Sequence, residues 1–113
     1  MTGNAARDGD AHRGWFVGHF VPPELGLRST ADIEVKWGKH VLGEARDGWG
    51  VDKASTSLSV LVSGCIHLFF ANGDQALLKE PGDYAVWAPG VQHRWEIEQD
   101  NTVVLTIRWP SRG

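Results

Sequence analysis

From Ala31 onward the chain alternates apolar and polar residues with a period of two. In DIEVKWG, Ile33, Val35 and Trp37 take one parity, and Asp32, Glu34, Lys36 and Gly38 take the other. A strand with one buried face has this pattern. SLSVLVS covers 57–63, and CIHLFF follows Gly64. The next segment, Ala71-Asn72-Gly73-Asp74, holds the strongest short hairpin signal, because Asn and Gly both tolerate positive φ. QALLKE leads to a second turn at Pro81-Gly82-Asp83. YAVWA, HRWEIEQ and TVVLTIRW complete the series, divided by Pro89-Gly90 and Asp100-Asn101. No segment sustains a capped 3.6-residue period, so little helix is expected. About eight short strands with turns every 8–12 residues predict an all-β sandwich or barrel.

The first part of the chain reads differently. Residues 1–14, MTGNAARDGDAHRG, hold almost no large apolar side chain, and such a segment is expected to be a disordered tail. WFVGHFV starts at Trp15 and is broken by Pro22-Pro23. Residues 15–30 are therefore expected to form an N-terminal arm on a single domain spanning 15–113. An arm of this kind covers an open sheet edge, and its addition to a partner's sheet predicts a homodimer.

Composition narrows the function classes. Eleven basic and fourteen acidic residues give a net charge of −3, which disfavours nucleic acid and anionic membranes as partners. No apolar run approaches the ~20 residues of a membrane span, and Met1 opens a polar stretch rather than a signal peptide. A cytoplasmic location is the expectation. The one cysteine, Cys65, makes no internal disulfide and excludes a four-cysteine zinc site. It has no basic neighbour in sequence and reads as a structural thiol. Six Trp against one Tyr is an unusual ratio, and Trp supplies large apolar walls with one donor.

GDYAVWAPGVQH, residues 82–93, resembles the second motif of the cupins, whose usual form is Gly-x5-Pro-x-Gly-x2-His-x3-Asn. Gly82, Gly90 and His93 match, Ala88 takes the Pro slot with Pro89 one place on, and Ile97 replaces Asn. Ser57-x6-Gly64 resembles the end of the first motif, with Ser in place of its Glu. The likeness spans about Ile33 to Trp109 and implies a jelly-roll β-barrel. A more local resemblance, which adds little beyond the fold, is to small bacterial cupins with Trp-Gly-x-His-x2-Gly-Glu-x-Arg-x2-Trp, here Trp37 to Trp49, and an Arg-Trp-Pro ending at Arg108 to Pro110. Cupins usually hold a divalent ion on His-x-His-x3–4-Glu plus the second-motif His. No alignment restores the first-motif His pair in this chain, so the resemblance implies a degenerate metal site with one retained position, His93.

Several residues emerge as candidates for the site. His93 shares parity with the apolar Trp95 and Ile97 and is expected to face the interior as an acid/base group. Glu44 and Arg46 lie two apart and share a strand face. If that strand lines the barrel, Glu44 moves a proton and Arg46 anchors a carboxylate; otherwise they form a surface ion pair. Ser57 and Ser59 take the inward parity and offer hydrogen bonds. Trp87, Trp95 and Trp49 are placed near the barrel mouth as stacking walls. His67 shares parity with Cys65 and Phe69, a largely apolar face, and is expected to point inward. His40 falls with Glu34 and Lys36, which argues for exposure unless a bulge intervenes. A three-His metal site of His40, His67 and His93 is the alternative to no metal.

Three functions are compatible with these residues. The first is a metal-independent isomerase, cyclase or lyase acting on a small organic acid or carbonyl compound, with His93 and Glu44 as acid and base. The second is a binding or sensory protein using the same pocket. The third is a divalent-metal oxygenase or lyase built on the unusual His set. No Gly-rich phosphate loop or other cofactor fingerprint is present in the sequence.

Overall fold

A computed structural model describes residues 1–111; the expected domain end at 113 lies outside them. The strands fall where alternation and turns place them: β1 (Trp15–Val17), β2 (Glu34–His40), β3 (Thr56–Ser63), β4 (Ile66–Phe70), β5 (Gln75–Leu78), β6 (Tyr84–Trp87), β7 (His93–Ile97) and β8 (Thr102–Trp109). They form a five-stranded sheet in the order β1-β2-β8-β3-β6 and a three-stranded sheet in the order β5-β4-β7. All pairings between these strands are antiparallel. This crossed order, with the first and last long strands adjacent, is a jelly-roll topology. Among the described residues no helix is long and apolar enough to cross a membrane.

The turns follow their residue types. In the β4–β5 hairpin Gly73 takes φ +98°, and the Asp74 N–H donates to Asn72 Oδ1 at 2.9 Å. Between β5 and β6, Asp83 Oδ2 accepts from the backbone N–H groups of Lys79 and Glu80.

Residues 1–14, expected to be a disordered tail, instead hold a one-turn helix α1 (Ala5–Asp8) and a 3-10 turn at Asp10–His12. The ordering combines polar caps with docking on β1 and β2, where the Trp37 N–H donates to Gly14 O at 2.9 Å. Asn4 Oδ1 accepts from the Arg7 N–H at 3.0 Å, and Asp8 Oδ2 accepts from the Asn4 N–H at 3.2 Å. Reciprocal caps of this kind satisfy end donors, and neither they nor the docking on β1 and β2 is registered by a count of apolar residues within the segment. The arm also departs from expectation, because β1 pairs with the chain's own β2. It therefore covers an edge of its own sheet.

The core lies between the two sheets toward one end. Leu61, Ile66, Leu68, Leu78, Trp87, Ile97 and Val104 form one buried cluster. The segment 43–50 is mostly exposed and docks on the free edge of β7. Its bridges are Ala45–Glu96 and Gly50–His93, with Arg46 N–H donating to Trp95 O at 3.0 Å and Gly50 N–H to His93 O at 2.7 Å.

Candidate functional site

The register of the large sheet sets what faces the interior. One inward row runs Glu34, Arg108, Ser57, Trp87 across β2, β8, β3 and β6; the next runs Lys36, Thr106, Ser59, Ala85. The interior face of this sheet is therefore polar over half its length. Together with the small sheet it encloses a cavity of about 80 Å³. The floor is apolar (Ile66, Leu68 and Val104). Trp15, Trp87 and Trp95 form walls, and the polar lining is Lys36, His40, Arg46, Ser59, His93, Thr106 and Arg108.

His93 sits at the start of β7, only 6% exposed, with its ring 4.9 Å from that of Trp87. Burial pushes its pKa below the usual histidine value, and Arg108 and Arg46 add to the effect against the Val91 carbonyl and Asp52. Its Nδ1 lies 3.5 Å from the Val91 carbonyl. In the tautomer that places the proton there, Nε2 is a free acceptor.

His40, expected to be exposed, lines the cavity at the end of β2. Its side chain is 14% exposed, and its Nδ1 lies 2.8 Å from Glu44 Oε2. Glu44 is the partner of His40 rather than a cavity-lining base. The hydrogen bond from His40 holds the Glu44 carboxyl below the usual range, helped by the Val41 N–H and opposed by burial. Space for the His40 ring comes from Gly38, where a Cβ would fall 3.0 Å from Nε2. Arg46 does line the cavity, although the segment that carries it is held by isolated bridges rather than in a strand. Its guanidinium lies across Gly50, where a Cβ would fall 2.5 Å from Cζ.

Lys36 and Arg108 complete the cationic lining. The Arg108 guanidinium lies 4.7 Å from the Trp15 ring and 3.8 Å from Asp52 Oδ2. Burial lowers the Lys36 pKa, and the like charges of Arg108, Arg46 and Arg13 lower it further. Among the described residues neither Lys36 nor Arg46 forms an ion pair. Ser59 Oγ and Thr106 Oγ1 share a hydrogen bond of 3.0 Å.

Three sequence candidates fall elsewhere. His67 faces outward, stacked on Phe69 at 4.1 Å and bonded through Nε2 to Gln75 Oε1 at 2.9 Å. The inward parity of β4 is that of Ile66, Leu68 and Phe70. Both faces of this strand are apolar in sequence, so composition alone misassigns them. Trp49 is 45% exposed, with the outward Arg94 guanidinium 5.6 Å from its ring. Ser57 has the inward parity but is fully buried between its register partners Arg108 and Trp87, and its Oγ has no partner. Sequence reasoning missed Lys36, Arg108, Thr106 and Trp15. The signal was available: carrying the inward parity of Ser57 and Ser59 across the sheet selects Lys36, Thr106 and Arg108.

No protein-family model and no curated protein matches the sequence. Solved structures do match. KdgF from Halomonas sp. superposes with a TM-score of 0.66 at 19% identity, over 74% of each chain. A conserved protein with a double-stranded β-helix domain from Klebsiella pneumoniae gives 0.65 at 21% identity, over 74% of this chain and 68% of that one. A cupin protein from Bacteroides fragilis gives 0.61 at 19% identity, over 70% and 66%. The chain has the cupin fold. The likeness is one of architecture; the lining of this cupin barrel belongs to its own sequence.

A divalent ion of the usual cupin type does not fit that lining. Of the usual ligand positions His93 alone carries a ligand, and Ser57 stands where a Glu is expected. The alternative set of His40, His67 and His93 fails because His67 is on the outer face. Among the described residues no three His, Cys, Asp or Glu side chains are grouped to hold a metal. The cavity is lined by the cations Lys36, Arg46 and Arg108, which repel a metal ion.

Proposed function

We propose that the barrel binds a small carboxylate with an adjacent carbonyl and moves a proton on the neighbouring carbon, the chemistry of an isomerase, cyclase or lyase. The observation that carries this reading is that Lys36 and Arg46, which form no ion pair among the described residues, share one cavity with the buried His93. Half-buried Lys36 and the more exposed Arg46 are stabilised by an anion bound between them, and the planar guanidinium matches a carboxylate in bidentate geometry.

The cavity limits the substrate. About 80 Å³ holds roughly six waters at 10–15 Å³ each, which suits a three-carbon 2-oxo acid of about six non-hydrogen atoms. Arg46 takes the carboxylate. Neutral His93 accepts the proton at Nε2 as the C–H bond breaks. The electron pair passes into an enolate whose oxygen is stabilised by the Lys36 ammonium. With Glu44 accepting from Nδ1–H, His40 keeps Nε2 free to take up a proton and return it. The walls of Trp15, Trp87 and Trp95 limit the access of water.

Deuterium exchange into three- and four-carbon 2-oxo acids, followed by proton NMR in D2O, tests the reaction. The protein is expected to speed exchange at the carbon beside the carbonyl, and His93→Gln to slow it by about 100-fold or more. Exchange no faster than in buffer for every such acid would leave a binding protein and remove the proton transfer.

A further inference from the structure

A second and larger hollow adjoins the cavity that holds Lys36, Arg46 and His93. Its volume is about 420 Å³, against about 80 Å³ for the inner cavity. It opens past the exposed Ala11, His12 and Arg13, with Phe20, Glu34 and Asp52 along its walls. Only Trp15 and Arg108 line both spaces, so these two side chains form the wall between them. Arg108 is held from the outer hollow, where its guanidinium lies 3.8 Å from Asp52 Oδ2. Trp15 comes from the N-terminal arm, where β1 pairs it with Lys36 of β2. The Arg108 guanidinium lies 4.7 Å and the Lys36 ammonium 5.8 Å from the centre of the Trp15 ring. An aromatic face attracts a cation without neutralising it. The contact therefore fixes the indole in the wall and leaves both charges available to an anion.

We propose that Trp15 determines the substrate class of the site, by closing the inner cavity against the outer hollow and so restricting it to short 2-oxo acids. This rests on the reading of the cavity as a 2-oxo-acid site. The inner cavity alone, at about 80 Å³, is well below the roughly 300–1,000 Å³ of an ordinary small-molecule pocket. With the indole removed the two spaces join into about 500 Å³, inside that range. A six-carbon acid could then keep its carboxylate on Arg46 and run its alkyl tail past Arg108 toward Phe20. In the wild type the same tail meets the indole, and forcing methylenes into a filled space is unfavourable. Exclusion of this kind selects by length and needs no added attraction for the short acid.

Isothermal titration of the wild type, Trp15→Ala and Trp15→Leu with unbranched three-carbon and six-carbon 2-oxo acids tests the proposal. The wild type is expected to bind the three-carbon acid more tightly than the six-carbon one by about tenfold or more. Both variants are expected to bind the six-carbon acid about tenfold or more tighter than the wild type does. Trp15→Leu keeps an apolar side chain on β1 while shortening the wall, and serves if Trp15→Ala fails to fold. Variants that still exclude the six-carbon acid, beside a wild type that binds the three-carbon one, overturn the proposal and leave the proposed reaction standing. So does a wild type that binds both acids equally. A wild type that binds neither acid overturns the reading of the site and this proposal with it.

Discussion

A histidine held neutral by burial titrates differently in the folded and unfolded chain. The unfolded chain takes up a proton at this position near pH 6.5, whereas His93 resists protonation in its place against Trp87, with Arg108 and Arg46 nearby. Between those two pKa values the unfolded state binds more protons, so stability falls as pH drops through about 6.5 and levels off below the folded value. The loss amounts to about 1.4 kcal/mol per unit of separation. Denaturant unfolding of the wild type and His93→Gln from pH 8 to 5 checks this. The difference between the two is expected to be flat above pH 7 and to shift against the wild type below it. Parallel curves throughout would mean that His93 is not neutralised by burial. Glu34 works in the opposite direction, since burial raises its carboxyl against the pull of Arg108 and His19, and comparison of the two proteins cancels its contribution.

Among the elements, the segment 43–50 connects sequence to site most directly. It supplies Glu44 and Arg46, lies exposed, and is tied to β7 through backbone hydrogen bonds that end at His93. A carboxylate on Arg46 fixes a side chain whose guanidinium already rests on Gly50, and so restrains the segment. Amide exchange at Arg46 and Gly50 is expected to slow by about tenfold or more when a three-carbon 2-oxo acid is present in excess. Unchanged protection would place the carboxylate elsewhere. The strands and turns were legible in the sequence because Asn-Gly, Pro-Gly and Gly-Asp punctuate a clear period of two. The inward His93 followed from the same period, whereas Glu44 and Arg46 sit in a segment held by isolated bridges rather than in a strand, and only Arg46 lines the cavity. The facing of β2 did not follow from the period either. Equating apolar with inward put Lys36 and His40 on the surface, and that equation fails where a sheet lines a polar cavity and is apolar outside. His67 failed for a different reason, since β4 is apolar on both faces and carries no parity signal.

Across the whole molecule, one sheet separates two environments of reversed polarity. Its inner rows hold Lys36, Thr106, Ser59 and Arg108, and its outer rows hold aliphatic and aromatic side chains. The cupin architecture permits this because its two sheets meet over an apolar cluster toward one end and leave the other open to chemistry. In the proposed reading charge selects the ligand: among the described residues Lys36 and Arg46 form no ion pair, and both line the cavity with the buried His93. Isothermal titration of the wild type and Arg46→Gln with a three-carbon 2-oxo acid, and of the wild type with a divalent ion, tests this most directly. The account predicts one acid bound per chain, an affinity lowered about tenfold or more by Arg46→Gln, and no stoichiometric heat from the ion. A site that ignores small carboxylates, or that takes up the ion in their place, would contradict it.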